Sequence, residues 1–331
     1  MIAQLNKEYI KTRPTKLFSR IVSYLFFEGR PLTTKGSWIN PFLFFGYRII
    51  SFLPQIKKVE SPIFIIGTGR SGSTLLGMLL SMHKRIGFLN EPKALWHFAY
   101  NKEDVIGSYS TDGANYKLDE THLSGRTASL IKKLYGFYLT TIFSQRVLDK
   151  YPELIFRIEF VKKIFPDAKF LFLQRNGYAT CASTAQWIED HQIKNKNEVE
   201  DWWGLNNRKW KLMLEQIIPA SKILSPHLEE IKTLNSQVDM AAVEWIATME
   251  EGISFLKKYP GSILPVKYEE LTTTPETVLP KIFSFCHLGD DSKCIRYARL
   301  TLNTQSKKNK NTMIAPFLEN SMQTLMKELG Y

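Results

Sequence analysis

Residues 62–82 read PIFIIGTGRSGSTLLGMLLSM, and this stretch constrains the fold more than any other. Pro62–Ile66 is a short apolar run rich in β-branched residues, which reads as a buried strand. Gly67–Gly72 is a glycine-rich turn, and Ser73–Met82 reads as a helix. A strand, a glycine-rich loop and a helix in this order make an anion cradle. Small residues let backbone N–H groups turn inward, and the helix N-terminus adds partial positive charge. The loop Gly67-Thr68-Gly69-Arg70-Ser71-Gly72-Ser73-Thr74 nearly fits the triphosphate pattern GxxxxGK[ST]. It has Ser73 where that pattern has the lysine that reaches the β- and γ-phosphates. A ligand with one 5′-phosphate carrying a short anionic extension fits this loop better than a nucleoside triphosphate.

The rest of the chain alternates in the same way. Lys169–Gln174, KFLFLQ, is a second buried strand with a helix after it over Tyr178–Ile188, and Ile263–Lys267 is a third strand. Helical spacing runs through Thr127–Lys150, Pro152–Phe165 and Asp239–Lys258. Thr274 is an N-cap for a helix over Pro275–His287, and a last helix over Pro316–Leu329 stops at Gly330. Asn101–Gly125 reads as a loop or lid, and Lys194–Asp201 as an exposed charged segment. Strands alternating with helices predict an α/β fold with a P-loop-like parallel sheet flanked by helices. Residues 1–60 read as a basic and apolar extension and 61–331 as the main domain. Ligands bind such sheets at the carboxyl ends of the strands, so the loops after Ile66 and Gln174 are the place to look.

A net charge of +12 implies an anionic partner or, more plainly, a solubilising surface. Cys181, Cys286 and Cys294 form no metal-type pair, and an odd count in a chain of 331 residues suggests reduced thiols and a cytoplasmic protein. No metal site is expected. The first residues lack the pattern of a signal peptide. Ile39–Leu53 is strongly apolar but too short to span a bilayer, which takes about 20 residues. A packing helix is the favoured reading there, and a peripheral membrane contact the other.

Four separated motifs resemble the 3′-phosphoadenosine 5′-phosphosulfate (PAPS)-dependent sulfotransferases, in particular the tyrosylprotein and carbohydrate branch. GTGRSGSTLL, Gly67–Leu76, resembles the family's 5′-phosphosulfate loop. FLFLQRNGYATCAS, Phe170–Ser183, resembles its 3′-phosphate element, with Arg175 just past a strand and Ser183 eight residues on. LPVKYEELTTTPE, Leu264–Glu276, resembles the strand and Tyr-Glu segment. The end of the chain, from Gln305 to Tyr331, resembles the C-terminal lid and closing Leu-Gly-Tyr. The chain departs from its relatives at Asn176, where Asp is commoner, and at Lys308, where an aromatic is usual.

The resemblance implies sulfuryl transfer from PAPS, with its product PAP, to an acceptor hydroxyl on a sugar, a protein tyrosine or a lipid, without a metal. Physics agrees on the donor, because PAPS needs two anion sites. Gly69, Arg70, Ser71, Gly72, Ser73 and Thr74 supply one, and the Arg175 fork with the Ser183 hydroxyl supplies the other. Tyr268, Ser306, Lys307 and Lys308 lie near the nucleotide by resemblance. Glu91, in FLNEP, is the expected base, with His97 as runner-up. Lys150, Arg70 and Ser306 are expected to stabilise the transition state. Plainer readings stand beside these: a capping carboxylate for Glu91, a surface cation for Lys150, a solvated charge run for the lid lysines. Trp187, Trp202 and Trp203 are acceptor-site candidates or core. Two other functions are weighed, a P-loop phosphotransferase and a nucleotide-binding protein without catalysis. The missing lysine argues against the first, and a complete catalytic set against the second.

Overall fold

The strands are β1 (Ile63–Gly67), β2 (Ile86–Asn90), β3 (Arg146–Lys150), β4 (Lys169–Gln174), β5 (Ile193–Lys194), β6 (Val199–Asp201), β7 (Gly204–Leu205) and β8 (Ile263–Lys267). They come from a computed structural model that describes residues 4–31, 36–194, 198–302 and 312–331. Among these residues, β2-β3-β1-β4-β8 form one all-parallel sheet. The short strands β5, β6 and β7 form a separate antiparallel sheet that sequence periodicity does not signal. Three elements differ from expectation. Helical spacing holds only over Gly125–Thr141, after which the chain turns and enters β3. The stretch from Pro152 begins as a 3₁₀ turn, Pro152–Arg157, before its helix, Ile158–Ile164. Asp201 in the charged segment is buried and belongs to β6.

Alternation along the buried strands divides the interior into two cores, one on each face of the sheet. Ile63 and Ile65 of β1 join Leu171 and Leu173 of β4 under Leu76, Leu79 and Leu80 of the Ser73–Ser81 helix. Phe64 and Ile66 point the other way, with Phe170 and Phe172, toward Tyr135 and Trp245 from the Gly125–Thr141 and Gln237–Lys258 helices. The residues ahead of β1 pack into this body. Arg20 and Glu28 form a fully buried ion pair, and a Glu28 oxygen accepts from the backbone N–H of Asn90 at 2.7 Å. That bond closes the carboxyl end of β2.

Pairing brings the strand ends to one edge. Asn90 pairs with Lys150, Ile65 pairs with Lys150, Gly67 with Leu173, and Gln174 with Lys267. The segments that follow β1, β2, β3, β4 and β8 therefore share this edge, where α/β sheets bind ligands.

Candidate active site

The loop between β1 and the Ser73–Ser81 helix carries a shape that two glycines make possible. Gly72 has φ 95° and caps the helix without a side-chain bond, so the first-turn N–H groups stay available. A Cβ on Gly72 would lie 2.4 Å from the Tyr268 ring, and one on Gly69 would lie 2.2 Å from the Trp202 ring. Arg70 takes the left-handed conformation, φ 61°, which is costly for a residue with a side chain and is found where function holds it. The hydroxyl of Ser71 donates to the Thr68 carbonyl at 2.5 Å, and the Thr68 hydroxyl is buried without a partner. Ser71 is itself buried and outside the cavity lining, so its contribution to a ligand would be its backbone.

A cavity of about 570 Å³ opens over this loop. Of the sequence-expected residues, Gly69, Arg70, Gly72, Ser73, Thr74, Glu91, Lys150, Arg175, Ser183 and Tyr268 all line it. A second bay of about 710 Å³ shares Arg70, Arg175, Ser183 and Trp187 with it, so the two form one groove. Ser306, Lys307 and Lys308 lie outside the described residues.

Arg175 follows β4 directly. Its guanidinium donates to the Arg70 carbonyl at 2.7 Å and lies 4.6 Å over the Tyr268 ring. Asn176, in the place of the commoner Asp, caps the Gly177–His191 helix by accepting from the Ala179 N–H at 3.0 Å. Ala179, Ala182, Ser183, Gln186 and Trp187 then form one face of that helix along the groove. Burial and the neighbouring Arg175 charge lower the Arg70 pKa, while Glu91 opposes that shift. Two guanidinium groups that oppose one another's charge in this way favour an anion between them.

Glu91 and Lys150 meet at the other end of the cavity. The Glu91 N–H donates to the Lys150 carbonyl at 2.7 Å, which continues the β2–β3 ladder, and the two side chains form an ion pair. Glu91 has φ 50°, another left-handed non-glycine residue. Lys93 stands 3.6 Å from the second Glu91 oxygen and donates to Glu153 at 2.9 Å. Burial opposes ionisation of Glu91, yet Lys150 and Lys93 overcome it and hold the carboxyl below its ordinary value. Burial likewise pulls against the Lys93 charge, and Glu153 and Glu91 more than restore it. The result is a carboxylate that is ionised at neutral pH, 37% exposed, beside a buried ammonium.

Sequence reading did not find Lys93, Glu153 and Lys209, which also line the cavity. Lys93 and Glu153 follow Glu91 and Lys150 by two and three positions with the opposite charge, and that pattern is the signal available for them. Lys209 donates to Glu244 at 2.6 Å and lies 4.6 Å over the Trp202 ring, whose N–H also bonds Glu244 at 2.7 Å. Trp187 and Trp202 line the cavity, whereas Trp203 is fully buried. His97 lies outside the lining, packed against the rings of Phe44 and Tyr109, and burial lowers its pKa. Among the described residues no cluster of His, Cys, Asp or Glu could hold a metal ion.

Comparison with known proteins agrees with this arrangement. The chain is 20% identical over 276 residues to a Caenorhabditis briggsae protein named "Putative protein-tyrosine sulfotransferase", covering 82% of this chain and 80% of that one. The fold matches the sulfotransferase domain from the curacin biosynthetic pathway with a TM-score of 0.53 and 18% identity, over 83% of this chain and 99% of that one. A model of the Sulfotransferase family matches residues 62–227, an interval that begins at β1 and takes in the glycine loop, Glu91, Lys150, Arg175 and Ser183. With half of its length under that model, and the loops it covers meeting in one groove, the chain belongs to the sulfotransferase family.

Proposed function

We propose that this enzyme transfers the sulfuryl group of PAPS to a hydroxyl oxygen of an acceptor. Residues 61–331 would form the sulfotransferase domain, with residues 1–60 as an extension of it. One observation supports the reading above the others. The glycine loop with Arg70 and the Arg175–Ser183 pair line a single groove, and that groove ends at Glu91 and Lys150. The residues fit the donor: two cationic positions for two anionic groups, free helix N–H groups, and a loop that a Cβ at Gly69 or Gly72 would fill. When bound, PAPS supplies an electrophilic sulfur on a phosphate leaving group.

The remaining work falls to side chains. Arg175 and Ser183 hold the 3′-phosphate, and backbone N–H groups of 70–74 hold the 5′ end. Ser306, Lys307 and Lys308 remain proposed contacts from the C-terminal lid. Glu91, ionised and partly open to the cavity, takes the proton of the acceptor hydroxyl. Lys150 leaves its ion pair with Glu91 as that carboxyl becomes neutral, and its charge is then available where negative charge develops. Trp187, Trp202 and Lys209 border the acceptor space. The buried thiols of Cys181, Cys286 and Cys294 suit a reducing compartment such as the cytoplasm.

Incubation with ³⁵S-labelled PAPS and a mixed cell extract tests the reaction. The expected product carries label in a stable sulfate ester, and formation of PAP equals its yield. Transfer of label from γ-³²P-ATP, with none from PAPS, would contradict the reading.

A further inference from the structure

The Asn40–Phe52 helix buries one face and leaves an aromatic stripe on the other. Leu43, Tyr47 and Ile50 are buried against the core. Phe42, Phe45, Ile49 and Phe52 are 68%, 66%, 49% and 79% exposed. Their spacing of three, four and three residues sets them in a single line along the helix. Trp38, 73% exposed, extends the line, its ring 6.5 Å from that of Phe42. A helix face open to water normally carries polar side chains, and a run of large apolar ones marks a surface that something covers.

Charge identifies what covers it. From Arg30 to Val59 the chain has no Asp or Glu, yet it contains Arg30, Lys35, Arg48, Lys57 and Lys58. Arg48 is exposed on the flank of the stripe, and the Lys58 side chain is 82% exposed, in a loose surface ion pair with Glu60 at 3.5 Å that water and salt screen. A second copy of this chain would bring Arg48 against its own counterpart, and the nearest carboxylate in sequence, Glu60, is already paired with Lys58. A bilayer with anionic headgroups offers opposite charge to the cations and an apolar layer to the rings, and aromatic side chains prefer that boundary. The helix has 13 residues, about 20 Å, too short to cross a bilayer, and no helix among the described residues is long and apolar enough to do so.

We propose that this face docks on an anionic lipid surface, with the helix parallel to the membrane and its aromatic line in the headgroup boundary. The helix is fixed to the body of the enzyme. Tyr47 donates to the Phe27 carbonyl at 2.9 Å, and Lys133 donates to the Ser51 carbonyl at 3.0 Å. At its first turn Asn40 exchanges two hydrogen bonds with the Arg30 backbone, next to Pro31 in the lining of the cavity. Docking would therefore hold one rim of the cavity close to the lipid surface.

Cosedimentation with lipid vesicles tests this without reference to nucleotide or turnover. The wild type should sediment with phosphatidylcholine vesicles containing roughly 30% phosphatidylglycerol, and much less with phosphatidylcholine alone. Phe45→Ser/Phe52→Ser should weaken binding by about tenfold or more. Arg48→Ala/Lys58→Ala should weaken it by about five- to tenfold, since Glu60 offsets part of the Lys58 charge, with the difference shrinking as salt rises. All four side chains are exposed, so circular dichroism should be unchanged, and the charge pair answers alone if the aromatic variant loses its fold. Wild type that stays in the supernatant with both vesicle types would overturn the proposal. So would binding that both variants retain, or a dimer that Phe45→Ser/Phe52→Ser converts to monomer without any vesicle binding.

Discussion

Glu91 combines a strained backbone, a partly open carboxylate and two ammonium neighbours at the end of β2. If it is the base, Glu91→Gln should lower kcat by about 10²–10⁴-fold while nucleotide affinity stays near wild type. Because Lys150 and Lys93 hold its pKa below the ordinary 4.5, the rising limb of kcat/KM should lie below that value and activity should be flat from about pH 5 to 7. A limb near neutrality that survives in Glu91→Gln would assign proton transfer to another group. Glu91 and Lys150 were legible from family-like segments, but Lys93 and Glu153 were not, because short charge alternation looks like ordinary surface. Only the fold shows that Lys93 is buried and that Glu153 is mostly covered beside it. Asp149, one residue before Lys150, makes a different test. It is fully buried, with bonds from Trp96 at 2.8 Å and from Tyr135, and burial raises its carboxyl from 3.8 to about 7. The folded state thus keeps a proton that the unfolded chain releases, so this contribution to stability is complete below about pH 4 and lost as pH rises through 7. Asp149→Asn cannot titrate. Its stability relative to wild type should climb by about 2–4 kcal/mol between about pH 4 and 8, read from urea midpoints. A pH-independent difference would show that Asp149 is not the titrating group.

At the scale of elements, strands β1, β4 and β8 were readable because their residues are almost all apolar, while β2 and β3 were not. β3 reads RVLDK, and its Asp and Lys disguise a buried strand. The fold accommodates them by giving Asp149 two donors and by aiming Lys150 into the cavity at the strand end. The helix ahead of it hides its stop in the same way. Ser144 N–H bonds back to the Leu139 carbonyl at 3.0 Å, the closing bond of a left-handed helix terminus, but the residue in the left-handed position is Phe143, φ 53°, rather than Gly. With no glycine or proline there, the helical spacing reads on to Lys150. Phe143 is 87% exposed, so replacing it removes little packing. Phe143→Gly should raise stability by about 0.5–1 kcal/mol, a shift of a few degrees in Tm measured by calorimetry. A loss of stability would mean that the ring makes contacts that matter more than its backbone strain.

For the molecule as a whole, the two cores clamp the parallel sheet from both faces, and its carboxyl edge gathers segments that lie far apart in sequence. The loop at 67–74 and the element at 170–183 were legible as two candidate anion sites. Their fusion into one groove, and the antiparallel sheet that brings Trp202 against Gly69, came only from tertiary packing. The central claim is that this groove recognises a nucleotide by both of its ends. Titration calorimetry with adenosine 3′,5′-bisphosphate and with adenosine 5′-phosphate tests it most directly, because the two ligands differ only in the 3′-phosphate. Wild type should bind the bisphosphate about 10–100-fold more tightly, and Arg175→Ala should lose most of that preference, since it removes a charge-assisted contact. Equal affinity for the two nucleotides in the wild type, or an undiminished preference in Arg175→Ala, would contradict the account.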